Sequence, residues 1–204
     1  MSKLKKYLIK LIFLAVFFSF NSIADIGPEE LVKKTAEDVL FAIKADQEIQ
    51  KGNKEKIYKL AEEKILPNFD FEKIARLVLG RAWRSASEQQ KKGFITEFRT
   101  LLLKTYAVAL SKYKDQEIKF KPSRTSKEND IVIVKSEIIQ SGGQPIHVNY
   151  ALSKSTGKWL VFDIVIEGVS LVTNYRSQFS SEIRRNGMDT LIKKLSKKNK
   201  GKNK

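Results

Sequence analysis

The chain contains no cysteine and one histidine, His147. Without thiols there is no thiolate nucleophile, no Cys-ligated metal and no disulfide. A cysteine-free chain also lacks the residue that carries the lipid of a bacterial lipoprotein. One imidazole makes no histidine cluster for a metal, and no second one stands ready for an acid–base pair. There is no Gly-rich phosphate loop and no G-x-S-x-G elbow. Proline is scarce, four in 204 residues, and no Pro-rich linker divides the chain. No apolar run approaches the roughly 20 residues that a membrane-spanning helix needs.

What is present begins at the N-terminus. Lys3, Lys5, Lys6 and Lys10 precede an apolar run from Leu11 to Phe20, and Ser22-Ile23-Ala24 follows. A basic n-region, a short apolar h-region and a small-residue cleavage site read as a secretory signal, residues 1–24, with Asp25 as the first mature residue. An exported, untethered protein is expected. About 180 residues remain, enough for one domain with a real core.

The formal net charge of +16 is unevenly spread. The signal holds four lysines and no acid, and the tail 193–204 holds seven lysines and no acid, so the domain between them is only +5. The tail is expected to be solvated and disordered. The functional alternative is attraction to anionic lipid surfaces. Export and the lack of aromatic-interleaved basic motifs argue against nucleic acid.

Periodicity then places the elements. Pro28-Glu29-Glu30 opens a helix whose stripe is Leu31, Val32, Ala36, Val39, Leu40 and Ile43. A second helix is expected over about 53–64, ending before Pro67. Asp70 caps a third, which Gly80 ends. Ser85-Ala86-Ser87-Glu88 reads as a capping box for the longest helix, about 87–113. Its apolar residues surround much of its girth, which predicts burial on more than one side.

Alternation replaces helical spacing from Ile118 onward. Strands are expected around 118–120, 130–140, 146–152 and 159–166, with a hairpin signal at Ser141-Gly142-Gly143-Gln144. The last strand reads as apolar on both faces, with Trp159, Val161 and Val165 on one and Leu160, Phe162, Ile164 and Ile166 on the other. A half-solvated antiparallel strand should alternate cleanly, so this one should be central and covered on both sides, or face something that the protein does not supply. Helices return at about 169–185 and 188–195. The reading is one α+β domain, residues 25–192: helices, an antiparallel meander of about four strands, then helices.

Few residues suggest chemistry. His147 lies on the polar face of its strand and is expected to be exposed. Asp163 interrupts the apolar last strand. A buried carboxylate must be paired or shifted to its neutral form. It is read as a structural ion-pair partner, with Arg81, Arg84, Arg99 and Arg176 as candidates and Arg176 preferred. The competing reading makes it the general base of a small cavity enzyme.

A set of segments, in order, carries a family resemblance. They are Pro67-Asn68-Phe69-Asp70-Phe71, Val78-Leu79-Gly80-Arg81-Ala82-Trp83-Arg84, Gln89-Gln90, Phe94 with Phe98, and Leu101-Leu102 with Thr105-Tyr106-Ala107. Trp159, Phe162-Asp163-Ile164, Ile166-Glu167-Gly168-Val169-Ser170-Leu171-Val172, Asn174-Tyr175-Arg176 and Phe179 follow, then Gly187, Leu191-Ile192 and Leu195. The chain resembles the MlaC family, also called the toluene-tolerance auxiliary family, over nearly all of its mature length. The Lys-rich tail is atypical. The resemblance implies a twisted antiparallel sheet wrapped by helices around a deep apolar cavity. It implies a periplasmic carrier that shuttles phospholipid between the outer and inner membranes and maintains outer-membrane lipid asymmetry, without catalysis, cofactor or metal. The implied partners are an inner-membrane ABC transporter complex with its substrate-binding-domain subunit and an outer-membrane lipoprotein–porin complex. A monomer suits a shuttle. A lipoprotein chaperone is the other carrier reading, and a filled-core adaptor the structural one.

The expected cavity lining is the inner face of the sheet with its facing helices. From the sheet come Val132, Val134, Ile146, Val148, Tyr150, Trp159, Val161 and Val165. From the helices come Leu77, Val78, Phe94, Phe98, Leu101, Leu102, Tyr106, Val169, Leu171, Val172, Tyr175 and Phe179. Arg81, Trp83 and Arg84 are placed either at the rim or as helix anchors.

Overall fold

Pro28 at the first turn, with Glu29 and Glu30 at the positive end of the helix dipole, starts α1 (Pro28–Ala45). The computed structural model describes residues 26–113, 116–126, 130–140, 142–155 and 157–201; the expected signal, residues 1–24, lies outside them. Asp46 caps the one-turn α2 (Gln47–Gln50), and Asn53 caps α3 (Lys54–Leu60). The helix expected over 53–64 does not stay regular. It widens into a π turn over Ala61–Ile65 and tightens into a 3-10 turn over Leu66–Asn68, where Pro67 cannot continue it.

Asp70 caps α4 (Phe71–Leu79) by accepting the Lys73 N–H at 2.9 Å. Gly80 ends it at φ +56°, with the Arg176 guanidinium close beside it. A Cβ there would meet that group at 3.2 Å, a tight approach, and the positive φ favours glycine. A short α5 (Arg81–Ser85) follows, which periodicity did not reveal. The capping box sits two residues later than expected: Ser87 and Gln90 satisfy each other's backbone at the head of α6 (Glu88–Tyr106). The chain then tightens into a 3-10 stretch over Ala107–Lys112.

The sheet is an open antiparallel meander in sequence order: β1 (Glu117–Ser126), β2 (Ile131–Ile139), β3 (Ile146–Ser155), β4 (Lys158–Ile166) and the two-residue β5 (Val169–Ser170). The fold is α+β, as expected, with one more strand than the sequence suggests. Glu167 and Gly168 both take positive φ, the pairing that a tight hairpin turn requires, and they make the residues after Ile166 a strand rather than the start of a helix. α7 (Leu171–Asn186) therefore begins two residues late.

One irregularity sets the faces of β4. Ala151 pairs with Asp163 and Leu152 with Val161, so Phe162 is an extra residue. A bulge of one residue reverses which way the following side chains point. Trp159, Val161, Ile164 and Ile166 thus share one face with Val132, Val134, Val148 and Tyr150. Leu160, Asp163 and Val165 share the other. The apparently two-faced strand is an ordinary alternation with its parity switched once, and α1 covers one side while α4 and α7 cover the other.

A solid core lies on that second side. Phe94 and Phe98 of α6 stack at 5.3 Å, and Phe179 of α7 meets them edge-on at 5.8 and 5.6 Å. Tyr175 meets Phe98 at 5.0 Å. Ile74, Ala75, Val78 and Leu79 of α4 close it from one side. Met188, Leu191 and Leu195 of α8 (Met188–Gly201) close it from the other. This last helix corrects the expected disordered tail. It does not stop at Leu195 but runs to Gly201, because Leu195 and Asn199 continue its buried seam along α6. Residues 202–204 lie outside the described residues.

Removing a ring from the aromatic cluster leaves a cavity that four helices cannot collapse together to fill. Phe98→Ala is expected to cost about 3–5 kcal/mol in chemical denaturation. Phe41→Ala, at a site 77% exposed, is expected to change stability by no more than about 0.5 kcal/mol.

Candidate functional site

The apolar stripe of α1 is only partly packed: Val32 meets the sheet and Val39 and Ile43 meet α3, with open space beside them. It lies over the bulge-selected face of the sheet and leaves a cavity of about 420 Å³ between them. Leu31, Val32, Ala36, Val39, Leu40 and Ile43 form its helical wall. Ile118, Ile138, Ile146, Tyr150, Val161 and Ile164 form its sheet wall. Their positions follow from register: Ile118 faces Ile138, Ile138 faces Ile146, and Tyr150 faces Ile164.

The 3-10 stretch after α6 completes the wall. With three residues per turn, side chains at i and i+3 eclipse one another. Ala109 with Lys112, and Leu110 with Tyr113, accordingly all reach the cavity. Lys44 stands 5.9 Å from the centre of the Tyr113 ring. Exposed Lys112 places a cation at the edge of an otherwise apolar space.

Several polar side chains of the wall already have hydrogen-bond partners. Asn68 donates to Thr35 Oγ1 at 2.9 Å and to the Lys64 carbonyl at 3.0 Å, and Thr35 donates to the Leu31 carbonyl at 2.7 Å. Tyr113 donates to the Gln116 carbonyl at 2.8 Å. Tyr150 is desolvated, which pushes its phenol above the ordinary range and keeps it neutral. The space accepts hydrocarbon and offers a polar cargo little. Among the described residues no group of three His, Asp or Glu side chains could hold a metal, and no helix is long and apolar enough to cross a membrane.

Of the twenty residues expected to line the cavity, Ile146, Tyr150 and Val161 do so. Val132, Val134 and Trp159 lie beside it in the small core between α1 and the sheet, and Val148 is buried on the same sheet face. Val165 points the other way because of the bulge. Val78, Phe94, Phe98, Leu101, Leu102, Val172, Tyr175 and Phe179 belong to the solid core instead. There, burial and the neighbouring Tyr106 hydroxyl push the Tyr175 phenol well up. Leu77 lines a small polar surface cleft. Leu171 is half-buried, while Tyr106 and Val169 are exposed. The long helix was expected to face the cavity because it is the most apolar. It is apolar because α4, α7 and α8 surround it. The α1 stripe was legible in the sequence, and its six residues without an equally apolar helical partner were the available signal.

Asp163 does not pair with Arg176. Its Oδ2 accepts the Ser170 hydroxyl at 2.6 Å and its Oδ1 accepts the Val172 N–H at 3.1 Å. Ser170 in turn accepts the Thr173 N–H at 3.0 Å, which makes it the cap of α7. The carboxylate thus sits at the positive end of a helix and ties β4 to α7. The bulge turns Asp163 toward this cap, and Arg176 packs on Gly80. Trp83 is half-buried on the solid core and lies under Arg76 and Lys91, at 5.8 and 5.2 Å from its ring. It anchors helices, and neither it nor exposed Arg81 and Arg84 reaches the cavity rim. His147 is exposed, between Glu137 and Glu167.

Comparison with known proteins gives concordant findings. A family model described as MlaC protein matches residues 33–197. The chain is 28% identical over 198 residues to the intermembrane phospholipid transport system binding protein MlaC of Haemophilus influenzae, covering 95% of this chain and 92% of that one. It is 26% identical over 180 residues to toluene tolerance protein ttg2D of Pseudomonas putida, covering 88% and 83%. A solved phospholipid-binding protein from Ralstonia solanacearum, in complex with a phospholipid, superposes with a TM-score of 0.80 at 33% identity. It matches 87% of this chain and 99% of its own.

The capping role of Asp163 separates from an ion-pair role by mutation. Asp163→Ala strands the Ser170 hydroxyl and the Val172 N–H and is expected to cost about 1–3 kcal/mol in urea unfolding. Arg176→Gln is expected to cost distinctly less. Equal losses, with strong coupling in the double mutant, would reinstate the ion pair.

Proposed function

The chain belongs to the MlaC family, and from that premise we propose that it is a periplasmic phospholipid carrier working without chemistry in an Mla-type pathway. It takes phospholipid between the outer and inner membranes and so maintains outer-membrane lipid asymmetry. The observation that carries this reading is the largely aliphatic cavity between α1 and the sheet, in which Asn68, Thr35 and Tyr113 already have hydrogen-bond partners. The secretory signal expected over residues 1–24 supports the periplasmic location. The proposed partners are an inner-membrane ABC transporter complex with its substrate-binding-domain subunit and an outer-membrane lipoprotein–porin complex.

Energetics explain why such a carrier is needed. Each methylene held in water costs about 0.8 kcal/mol, so two acyl chains cost on the order of 20 kcal/mol or more. A cavity that substitutes for the bilayer interior removes most of that barrier.

Protein purified without detergent is expected to carry phospholipid detectable by native mass spectrometry. Ile164→Asp places a charge against the acyl chains and is expected to lower loading at least about tenfold, since a buried unpaired carboxylate costs several kcal/mol. Leu102→Ala, in the solid core, is expected to lower stability and leave loading intact. Co-purification of an acylated protein would favour a lipoprotein chaperone. A folded protein that takes up no lipid under any preparation would overturn the carrier reading.

A further inference from the structure

The Lys-rich segment has become a helix, and that changes what it can do. Lys193, Lys194, Lys197, Lys198 and Lys200 are all exposed on α8. At 3.6 residues per turn they occupy an arc of roughly 160°, opposite the buried seam of Met188, Leu191, Leu195 and Asn199. No acid of α8 lies on that arc; Asp189 sits on the flank and accepts from Gln90 at 3.0 Å. Lys194 is engaged by Glu182 of α7 at 2.7 Å. Lys193, Lys197, Lys198 and Lys200 have no ion-pair partner among the described residues.

The face is held rigidly. Asn199 donates to the Glu97 carbonyl and carboxylate at 2.9 and 2.6 Å, and Lys104 donates to the Asn199 carbonyl at 2.8 Å. These contacts, with Ile192 against Gly93, run α8 parallel to α6. The lysine-rich end therefore points the same way as the end of α6, which continues directly into the 107–112 wall of the cavity.

We propose that the lysine face of α8 is an electrostatic docking surface for an anionic phospholipid bilayer. Its chemistry selects that occupant. The exposed arc has no aromatic or large apolar residue, so it lacks the anchors that dominate protein–protein interfaces. It uses lysine, a point charge on a flexible stem, where a bidentate recognition site would favour arginine. A fixed array of like charges with no groove matches a diffuse plane of opposite charge, to which each basic residue contributes separately. Lysines near a helix C-terminus also offset the macrodipole. The buried seam confines the lysines to one side of the helix, and with only Asp189 on its flank that side presents charge of one sign.

The proposal is independent of the cargo reading, and its test keeps the two apart. The mature chain is sedimented with vesicles of phosphatidylcholine alone and of phosphatidylcholine mixed with phosphatidylglycerol, at low and high salt. Binding is expected only to the mixed vesicles and only at low salt. The fourfold variant K193Q/K197Q/K198Q/K200Q is expected to lose binding by about fivefold per lysine, several hundredfold in all. Its phospholipid loading and helical circular dichroism should stay unchanged. The matching fourfold Lys→Arg variant keeps the charge and is expected to keep the binding. Equal binding by the Gln variant, binding that survives high salt, or no binding of the wild-type chain to the mixed vesicles would each overturn the proposal. If the Gln variant fails to fold, the salt titration and the Arg variant decide.

Discussion

The extra residue at Phe162 decides which way β4 faces on either side of it. Before the bulge, Trp159 and Val161 point toward α1; without the bulge, Asp163 and Val165 would follow them. With it, Ile164 and Ile166 do, and Asp163 turns to the opposite side. That single shift of parity supplies the cavity with a continuous apolar wall and places a carboxylate where α7 begins. Neither consequence survives alone. A strand in perfect alternation would put the charge of Asp163 into the cavity and leave the α7 cap without its acceptor.

On the two sides of the sheet so arranged, apolar residues do different work. Beneath α4, α6, α7 and α8 the aromatic rings meet edge to face and fill the space, which is where large side chains contribute most to stability. Under α1 the stripe is aliphatic and the space is left open. Protein interiors are normally close-packed, and unfilled volume forfeits dispersion contacts. The open side keeps smaller cores of its own beside the cavity, Val32 against the sheet and Val39 and Ile43 against α3. α6 joins the two sides: Phe94 and Phe98 belong to the filled half, whereas Leu103, with Ala107 just beyond the helix, packs toward α1 and α3.

Much of this division was legible in the sequence, and the failures have physical causes. Helix starts at Pro28 and Asp70, the Gly80 stop and the strand order follow from local chemistry, which the fold did not override. Apolar girth in a sequence does not distinguish a helix that borders a cavity from one that other helices surround. Phe94, Phe98 and Phe179 are apolar because other helices surround them. The bulge was invisible for a simpler reason: a strand with one inserted residue and a strand apolar on both faces have the same pattern until pairing partners are known. The ion pair expected for Asp163 fell with it, since the partner of a buried charge depends on which face the charge is on. In the C-terminal segment, composition spoke for disorder, but Leu191, Leu195 and Asn199 kept helical spacing between the lysines, and their packing on α6 decided the outcome.

That last point bears on how charge acts in this protein. A disordered lysine tail could reach an anionic surface in any orientation of the domain, and would say nothing about how the rest of the molecule then lies. The same lysines on a helix locked to α6 tie orientation to attraction. Because α8 and α6 run parallel, and α6 leads into the 107–112 wall, an anionic plane that met the end of α8 would bias where the cavity edge comes to rest. Attraction of this kind is weak per residue and screened by salt, so it favours brief contact. Brief, oriented contact suits the proposed carrier, whose cargo must leave as readily as it enters. A deeper anchor, with aromatic residues on the same arc, would hold the protein at one membrane and defeat transfer to the other.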